Sequence, residues 1–297
     1  IGDNKTSVTE FILLGFGDLP ELQILLFLLF LVIYIVTMAG NILIVVLVVT
    51  EQHLHTPMYF FLGNLSCLET CCSSTILPRV LGVVISFSGC VMQLYIFGSQ
   101  AATESFLLTV MAYDRYLAIC NPLRYTALMN RRVCVELASC SWLGGFLFNP
   151  VIMAWIYRLR FCGPNEIDHF FCDFMPLVKL SCSDTHLITL AAFLLSSTAT
   201  LIPFLLTLIS YAFIIVAIVK NPSSTGRQKA FSTCTSHLTV VSTFYGALAI
   251  VYSRDSVDTD KLLSLVYTIV TPMFNPFIYS LRNKEVKAAL GKLVGKK

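Results

Sequence analysis

Seven stretches of the chain are apolar over lengths that exceed a soluble core helix: 22–50, 57–80, 90–113, 137–157, 186–219, 230–253 and 262–281. A helix crossing the hydrocarbon core needs roughly 20 mostly apolar residues, and each stretch supplies about that many. The first, fourth and seventh carry no charge. The fifth carries one histidine near its start and the sixth contains His237. The second is interrupted by Glu69 and ends near Arg79, and the third contains Glu104. The links are short and leave no room for a soluble domain. The pattern predicts an all-α membrane protein, a seven-transmembrane helix bundle formed as one domain over 1–297. Residues 1–21 make an extracellular N-terminus, 22–281 the bundle and 282–297 a cytoplasmic tail. In the tail, Val286, Leu290, Leu293 and Val294 share a helical face among lysines, which predicts a short amphipathic helix on the inner membrane surface. The alternative is a frayed, lysine-rich tail.

Composition agrees with burial in lipid. Charged residues are 12% of the chain, about half the share of an average soluble domain. The net charge of +3 is too small to imply a nucleic-acid partner. The 11 cysteines are spread through apolar stretches, where a free thiol behaves as a small hydrophobe. Residues 1–21 are mixed polar, and the first apolar run is too long for a signal h-region, so no cleavable signal is expected. The chain begins at Ile1, so an initiator methionine is expected to be missing.

An odd number of spans puts the termini on opposite sides, and Lys and Arg decide which is inside. Arg115, Arg124, Arg131, Arg132, Lys220, Arg227, Lys229, Arg282, Lys284, Lys287, Lys292, Lys296 and Lys297 share one side. Lys5, Arg79, Arg158, Arg160, Lys179, Arg254 and Lys261 share the other. The heavier count puts the C-terminus in the cytoplasm. The sequon at Asn4 then lies outside, as a glycosylation acceptor must. A second match at Asn64 falls inside a span and is discounted.

The third stretch ends on "MAYDRYLAICNPLRY", where Asp114 and Arg115 stand side by side. Alone, this is equally well an interfacial arginine snorkelling from a helix end. Other residues weigh against that. Asn275-Pro276-Phe277-Ile278-Tyr279 ends the seventh stretch, Asn41 lies in the first and Trp142 in the fourth. Together these resemble the rhodopsin-like G-protein-coupled receptors. "LHTPMYFFLGNLS", "KAFSTCTSHL", "FYG", "TPMFNPFIYSLRNKEV" and the N-terminal "TEFILLGF" narrow the resemblance to the odorant receptors, in order and nearly end to end. There is no lysine in the last span for an opsin-like Schiff base. Phe97 stands where amine receptors carry an aspartate. Span six has Tyr245 where many rhodopsin-like receptors have tryptophan and proline, a departure that is itself similar to odorant receptors.

The resemblance implies roles. Asp114 holds Arg115 at rest, and on activation span six swings out and the arginine meets a stimulatory heterotrimeric G protein, raising cyclic AMP. Tyr116, Tyr211, His237, Tyr245, Asn275, Pro276 and Tyr279 are the implied participants. For His237 a hydrogen-bonded packing role is the alternative. Cys90, Cys162, Cys172 and Cys182 lie on the oxidising face, where three pairings are open. The resemblance pairs Cys90 with Cys172 and Cys162 with Cys182. The H-x-x-C run at His169 is discounted as a metal site because the disulfide needs Cys172.

By the same resemblance a small-molecule pocket is lined by Phe97, Gly98, Ala101, Ala102, Leu195, Ser196, Ala199, Leu248, Ala249, Tyr252, Leu265 and Thr268, with Phe174 as lid. No residue in this set is charged, so charged ligands would be desolvated without compensation. A small neutral volatile odorant is the implied ligand and the cilium of an olfactory sensory neuron the implied place. Membrane lipid is the other expected partner.

Glu69 and Glu104 are costly inside a bilayer. Helical rise puts them about 18 and 16 Å from the inner face, so they can meet. The two readings are a shared proton and a bound sodium ion. Odorant receptors usually carry aspartate where this chain has Glu69. An ion transporter would show internal repeats or broken helices, and neither is evident. No phosphate loop, zinc-ligand cluster or nucleophile elbow supports an enzyme.

Overall fold

The computed structural model describes residues 9–15, 20–76, 84–162, 164–220, 224–252, 271–282 and 284–295. Its long helices are α1 (Pro20–Thr50), α2 (Pro57–Ile76), α3 (Phe87–Cys120), the pair α5 (Arg131–Phe148) and α6 (Pro150–Ile156), α8 (His186–Lys220) and α9 (Ser224–Tyr252). A further helix, α10 (Thr271–Arg282), covers the described end of the seventh span. Short helices α4 (Pro122–Leu128) and α7 (Phe174–Lys179) lie in links, and α11 (Lys284–Gly295) forms the tail.

The bundle's exterior is apolar, unlike that of a soluble protein. In the most apolar windows of α1 and α8 only 22% of residues are buried, so most of their Leu, Ile, Val and Phe side chains face outward. These two and the α5–α6 stretch are long and apolar enough to span a membrane by length and composition. The helices carry many of their polar residues inward. Asn41, Ser66, Glu69, Ser99, Thr103 and Glu104 are all buried. Lipid offers no hydrogen bonds, so such groups turn to the interior. α3 is the hub and packs against α2, α5, α8 and α9. Beneath the polar belt a core of Leu47, Phe61, Leu65, Met111 and Phe244 joins spans one, two, three and six.

At Pro150 and Pro276, two of the prolines that open gaps in the helix ladders, a neighbouring side chain fills the gap. Proline has no N–H to give the carbonyl four residues back. For Pro150 that carbonyl is Phe146, and the Tyr95 hydroxyl donates to it at 3.0 Å. For Pro276 it is Pro272, and Asn41 Nδ2 donates to it at 3.2 Å. Gly40 lets span one come this close, since a Cβ there would meet the Pro276 ring at 3.0 Å. Tyr95→Phe leaves the Phe146 carbonyl unpaired in an apolar setting, a loss of about 1–3 kcal/mol. The expected result is a lower thermal midpoint for the purified receptor. An unchanged midpoint would remove this account of the break in span four.

Several elements lie beyond what the apolar pattern foretold. Span four is two helices, divided at Asn149-Pro150. α3 runs on past the apolar stretch, through Asp114, Arg115 and Tyr116, to Cys120. The N-terminal segment forms a strand, β1 (Glu10–Leu13), between β2 (Val84–Ser86) and β3 (Glu166–Ile167). β1 runs antiparallel to β2, with Phe11 opposite Ile85, and parallel to β3, with Ile12 opposite Glu166. Phe11 and Leu13 are buried while Glu10 and Ile12 are exposed, so alternation in "EFIL" carried the signal. Phe11 meets Phe161 edge-on with ring centroids at 5.5 Å. The tail helix α11 buries Val286 and Ala289 against the inner end of the bundle, which fixes it as an ordered element. Asn64, in the discounted sequon, lies in α2 and accepts from the Trp142 indole at 3.2 Å, joining spans two and four.

Candidate functional site

At the end of α3 the Asp114 carboxylate is fully buried and saturated. Arg115 Nε donates to Oδ2 at 2.9 Å, and a second guanidinium N–H donates to the same oxygen. Tyr125 donates its hydroxyl to Oδ1 at 2.7 Å. Local sequence makes this contact. Asn121 leaves helical geometry, and Pro122 starts α4 at its first position, where a missing N–H costs nothing. The turn brings Tyr125 back under Asp114. Burial and the Asp114 charge push the Tyr125 phenol up, so it stays a donor. Tyr125 closes the quoted "MAYDRYLAICNPLRY" stretch, yet nothing in its spacing showed that it would fold back onto Asp114.

Beside the arginine, spans five and six are joined. Tyr211 and His237 Nδ1 share a hydrogen bond of 2.6 Å, both fully or nearly buried. Tyr211 sits in an apolar cluster with Ala112, Ile214 and Cys234, and Tyr116 packs against it. Tyr245 lies one level higher, its ring 4.7 Å from Phe204. Asn275 Nδ2 donates to Glu69 Oε1, and Glu69 and Glu104 lie within hydrogen-bonding reach of each other. The structure thus brings Asp114 to Arg115, Tyr211 to His237 and Glu69 to both Glu104 and Asn275.

At the opposite end of the bundle Cys90 is bonded to Cys172 and Cys162 to Cys182. Gln93 secures the first of these. It donates to the Thr75 carbonyl at 3.3 Å and accepts from the Cys172 N–H at 3.1 Å, tying spans two and three to the outer loop. Only its place one turn after Cys90 hinted at this. Beyond Cys172 the loop forms a short helix. Phe174 begins α7, capped by Asp173, and packs into the outer apolar cluster with Leu177 and Ile188. The residues that reach into the bundle are Phe170 and Phe171, and Phe171 meets the Phe97 ring at 5.1 Å. Phe171, just before Cys172, is thus the loop aromatic in contact with Phe97, while Phe174 shares its cluster with Leu195.

The remaining implied pocket residues sit in several settings. Gly98 faces span four, where a Cβ would meet Asn149 Nδ2 at 3.1 Å; it is a seat for that helix rather than pocket lining. Ala101 and Leu248 pack against the central core and Leu195 against the outer cluster. Ala102 is half-buried, Ala199 buried, and Ser196 and Ala249 exposed. Asn4, Leu265 and Thr268, and the side chains of Tyr252 and Tyr279, lie outside the described residues. One cavity of about 390 Å³ opens between spans three and four at Met92, Tyr95 and Met153, and a second of about 380 Å³ is bounded by spans three, four and five. Neither includes any residue of the implied set.

A helical bundle with an apolar exterior, a buried carboxylate holding an arginine at one end and a disulfide-pinned loop at the other fit a membrane receptor of the seven-helix class. The olfactory receptor family profile matches residues 30–297. The chain is 48% identical to olfactory receptor 11A1 of Homo sapiens, over 99% of its own length and 96% of the relative's. It is 50% identical to olfactory receptor 10A3 of Homo sapiens over 98% and 96%. It is 48% identical to olfactory receptor 5M5 of Mus musculus over 98% and 95%. The chain belongs to the olfactory receptor family. It is a seven-transmembrane signalling receptor of the plasma membrane and not an enzyme.

Proposed function

We propose that the receptor binds a small neutral volatile within the outer half of the bundle and activates a stimulatory heterotrimeric G protein, raising cyclic AMP. The N-terminus, with Asn4 glycosylated, faces outward, the C-terminus faces the cytoplasm, and the receptor works in olfactory cilia. The observation that carries the coupling is the paired latch at the inner end. Asp114 holds Arg115, and Tyr211 joins span five to His237 on span six. Moving span six frees the arginine for a partner helix. The absence of charge from Phe97, Phe171, Leu195, Ala199 and Leu248 supports a neutral ligand. The test is a screen of neutral and charged volatiles in cells carrying the receptor, read by cyclic AMP. Neutral alcohols, aldehydes, ketones and esters are the expected agonists. Hits confined to charged amines would overturn the pocket.

The carboxylate pair serves as a sodium site in the resting state. Its donors fit a hard cation. Glu104 Oε1, Ser73 Oγ, Asn41 Oδ1 and Asn275 Oδ1 are buried oxygens without partners among the described residues. No cluster of three or more acidic, His or Cys side chains is present among the described residues, so neutral oxygens would complete the shell. Glu69 and Glu104 would hold the ion, which supplies the positive charge that two adjacent carboxylates lack. Replacing external sodium by choline should raise agonist potency in the native receptor, and Glu104→Gln should abolish that dependence. A native response indifferent to sodium leaves the pair sharing a proton instead.

A further inference from the structure

We infer that the groove bounded by spans three, four and five on their cytoplasmic half is a sterol site. The placement rests on the orientation proposed above. The cavity measures about 380 Å³, within the range of about 300–1,000 Å³ typical of small-molecule sites. Its two ends differ. Toward mid-membrane it is bounded by Val110, Leu206 and Ile209. Toward the cytoplasm it is bounded by Tyr113, Tyr116 and Phe213. The side that faces lipid is open, with Leu206, Ile209 and Phe213 each about half exposed.

The polar atoms of the groove sort in the same direction. Ser210 donates to the Leu206 carbonyl at 2.9 Å. Thr109 is engaged by Ser105, Pro203 and Thr207. The hydroxyls of Tyr113 and Tyr116 have no partner among the described residues. Their rings stack at 6.3 Å with planes 27° apart, and Phe213 lies 5.8 Å from Tyr116. The groove therefore offers hydrogen bonds at the interface, a flat aromatic wall beside them, and an aliphatic channel above.

A matching occupant has one hydroxyl at headgroup depth and a rigid apolar body pointing to mid-membrane. A sterol has both, and the plasma membrane is rich in it. An acyl chain brings no donor to the tyrosines and loses rotamer freedom when fixed. Tyr116 follows Arg115 directly and packs on the Tyr211 cluster, so an occupant here presses on the side chains that surround the latch.

The test is photolabelling of the full-length receptor in membranes of expressing cells, with a cholesterol analogue bearing a diazirine in its ring system. Adducts mapped by mass spectrometry should fall on 109–116 and 206–213 and should vanish under excess unlabelled cholesterol. Tyr113→Phe should lower labelling about two- to tenfold, the loss of one neutral hydrogen bond. Leu206→Trp fills the channel and should lower it about tenfold or more, as overpacked sites exclude a rigid body. If that variant fails to reach the membrane, Ile209→Trp tests the same space. Adducts only elsewhere, labelling insensitive to both positions, or competition by phosphatidylcholine equal to that by cholesterol would overturn the proposal. The readout needs no signalling, so a receptor that labels here but raises no cyclic AMP sinks the coupling and leaves the sterol site standing.

Discussion

Arg115→Ala should abolish agonist-evoked cyclic AMP while the receptor still reaches the surface. The side chain has two jobs of opposite sign. At rest its guanidinium is held on the Asp114 carboxylate, which keeps the inner end closed. On the coupling proposed above, the same group is the contact offered to the G protein in the active state. Removing it opens the latch but also removes the contact, so no signal follows. Asp114→Asn separates the two jobs. It weakens the hold while keeping the arginine, and a hydrogen bond to a charged group is worth about 1.5–3 kcal/mol. Since each 1.4 kcal/mol is about tenfold in an equilibrium, ligand-independent cyclic AMP should rise by about tenfold or more. Tyr125 continues to donate to the residue at 114 in either variant, which favours folding. With signals normalised to surface receptor, native signalling by Arg115→Ala would refute the coupling role. Basal cyclic AMP unchanged in Asp114→Asn would refute the latch.

Much of this was legible in the chain because a bilayer imposes simple rules. Length of apolar run gives the spans, and the odd charges inside them, Glu69 and Glu104, are visible because they are expensive. The depth estimate from helical rise placed those two carboxyls together, and they do meet. Contacts that depend on a turn were not legible. Tyr125 reaches Asp114 through the Asn121-Pro122 corner, and Phe171 reaches Phe97 through the constraint of Cys172. Neither follows from periodicity, since both residues sit outside the spans. β1 was hidden for a different reason. Its four residues alternate correctly, but a strand needs partners, and β2 and β3 lie 70 or more residues away in sequence. The break in span four was written in Asn149-Pro150, yet an apolar count reads through a proline as readily as through a leucine.

The interface between spans three and four carries the second large prediction, at Gly145. A Cβ on this residue would overlap Thr103 Oγ1 and lie 2.6 Å from the Ser99 carbonyl oxygen and 2.8 Å from the Thr103 nitrogen. The hydroxyl could turn aside at the cost of its bond to Ser99, now 2.8 Å. The two backbone atoms cannot move without moving α3. That helix is fixed on this side by Tyr95 on the Phe146 carbonyl and by Asn149 Nδ2 on Ser99 Oγ at 3.3 Å. It is fixed above by the Cys90–Cys172 disulfide. Gly145→Ala must therefore push spans three and four apart and break those bonds. Overpacking alone costs about 1–3 kcal/mol, and sometimes more, and each buried polar group left unpaired adds about 1–3 kcal/mol. The expected outcome is a receptor retained inside the cell, with surface level and response near background. Two glycines serve as controls. A Cβ on Gly144 meets only the edge of the Phe106 ring, at 3.2 Å, and one on Gly246 meets nothing within 4 Å. Gly144→Ala and Gly246→Ala should both reach the surface at close to the native level. If Gly145→Ala does so too, spans three and four do not approach as closely as the Gly145 geometry requires.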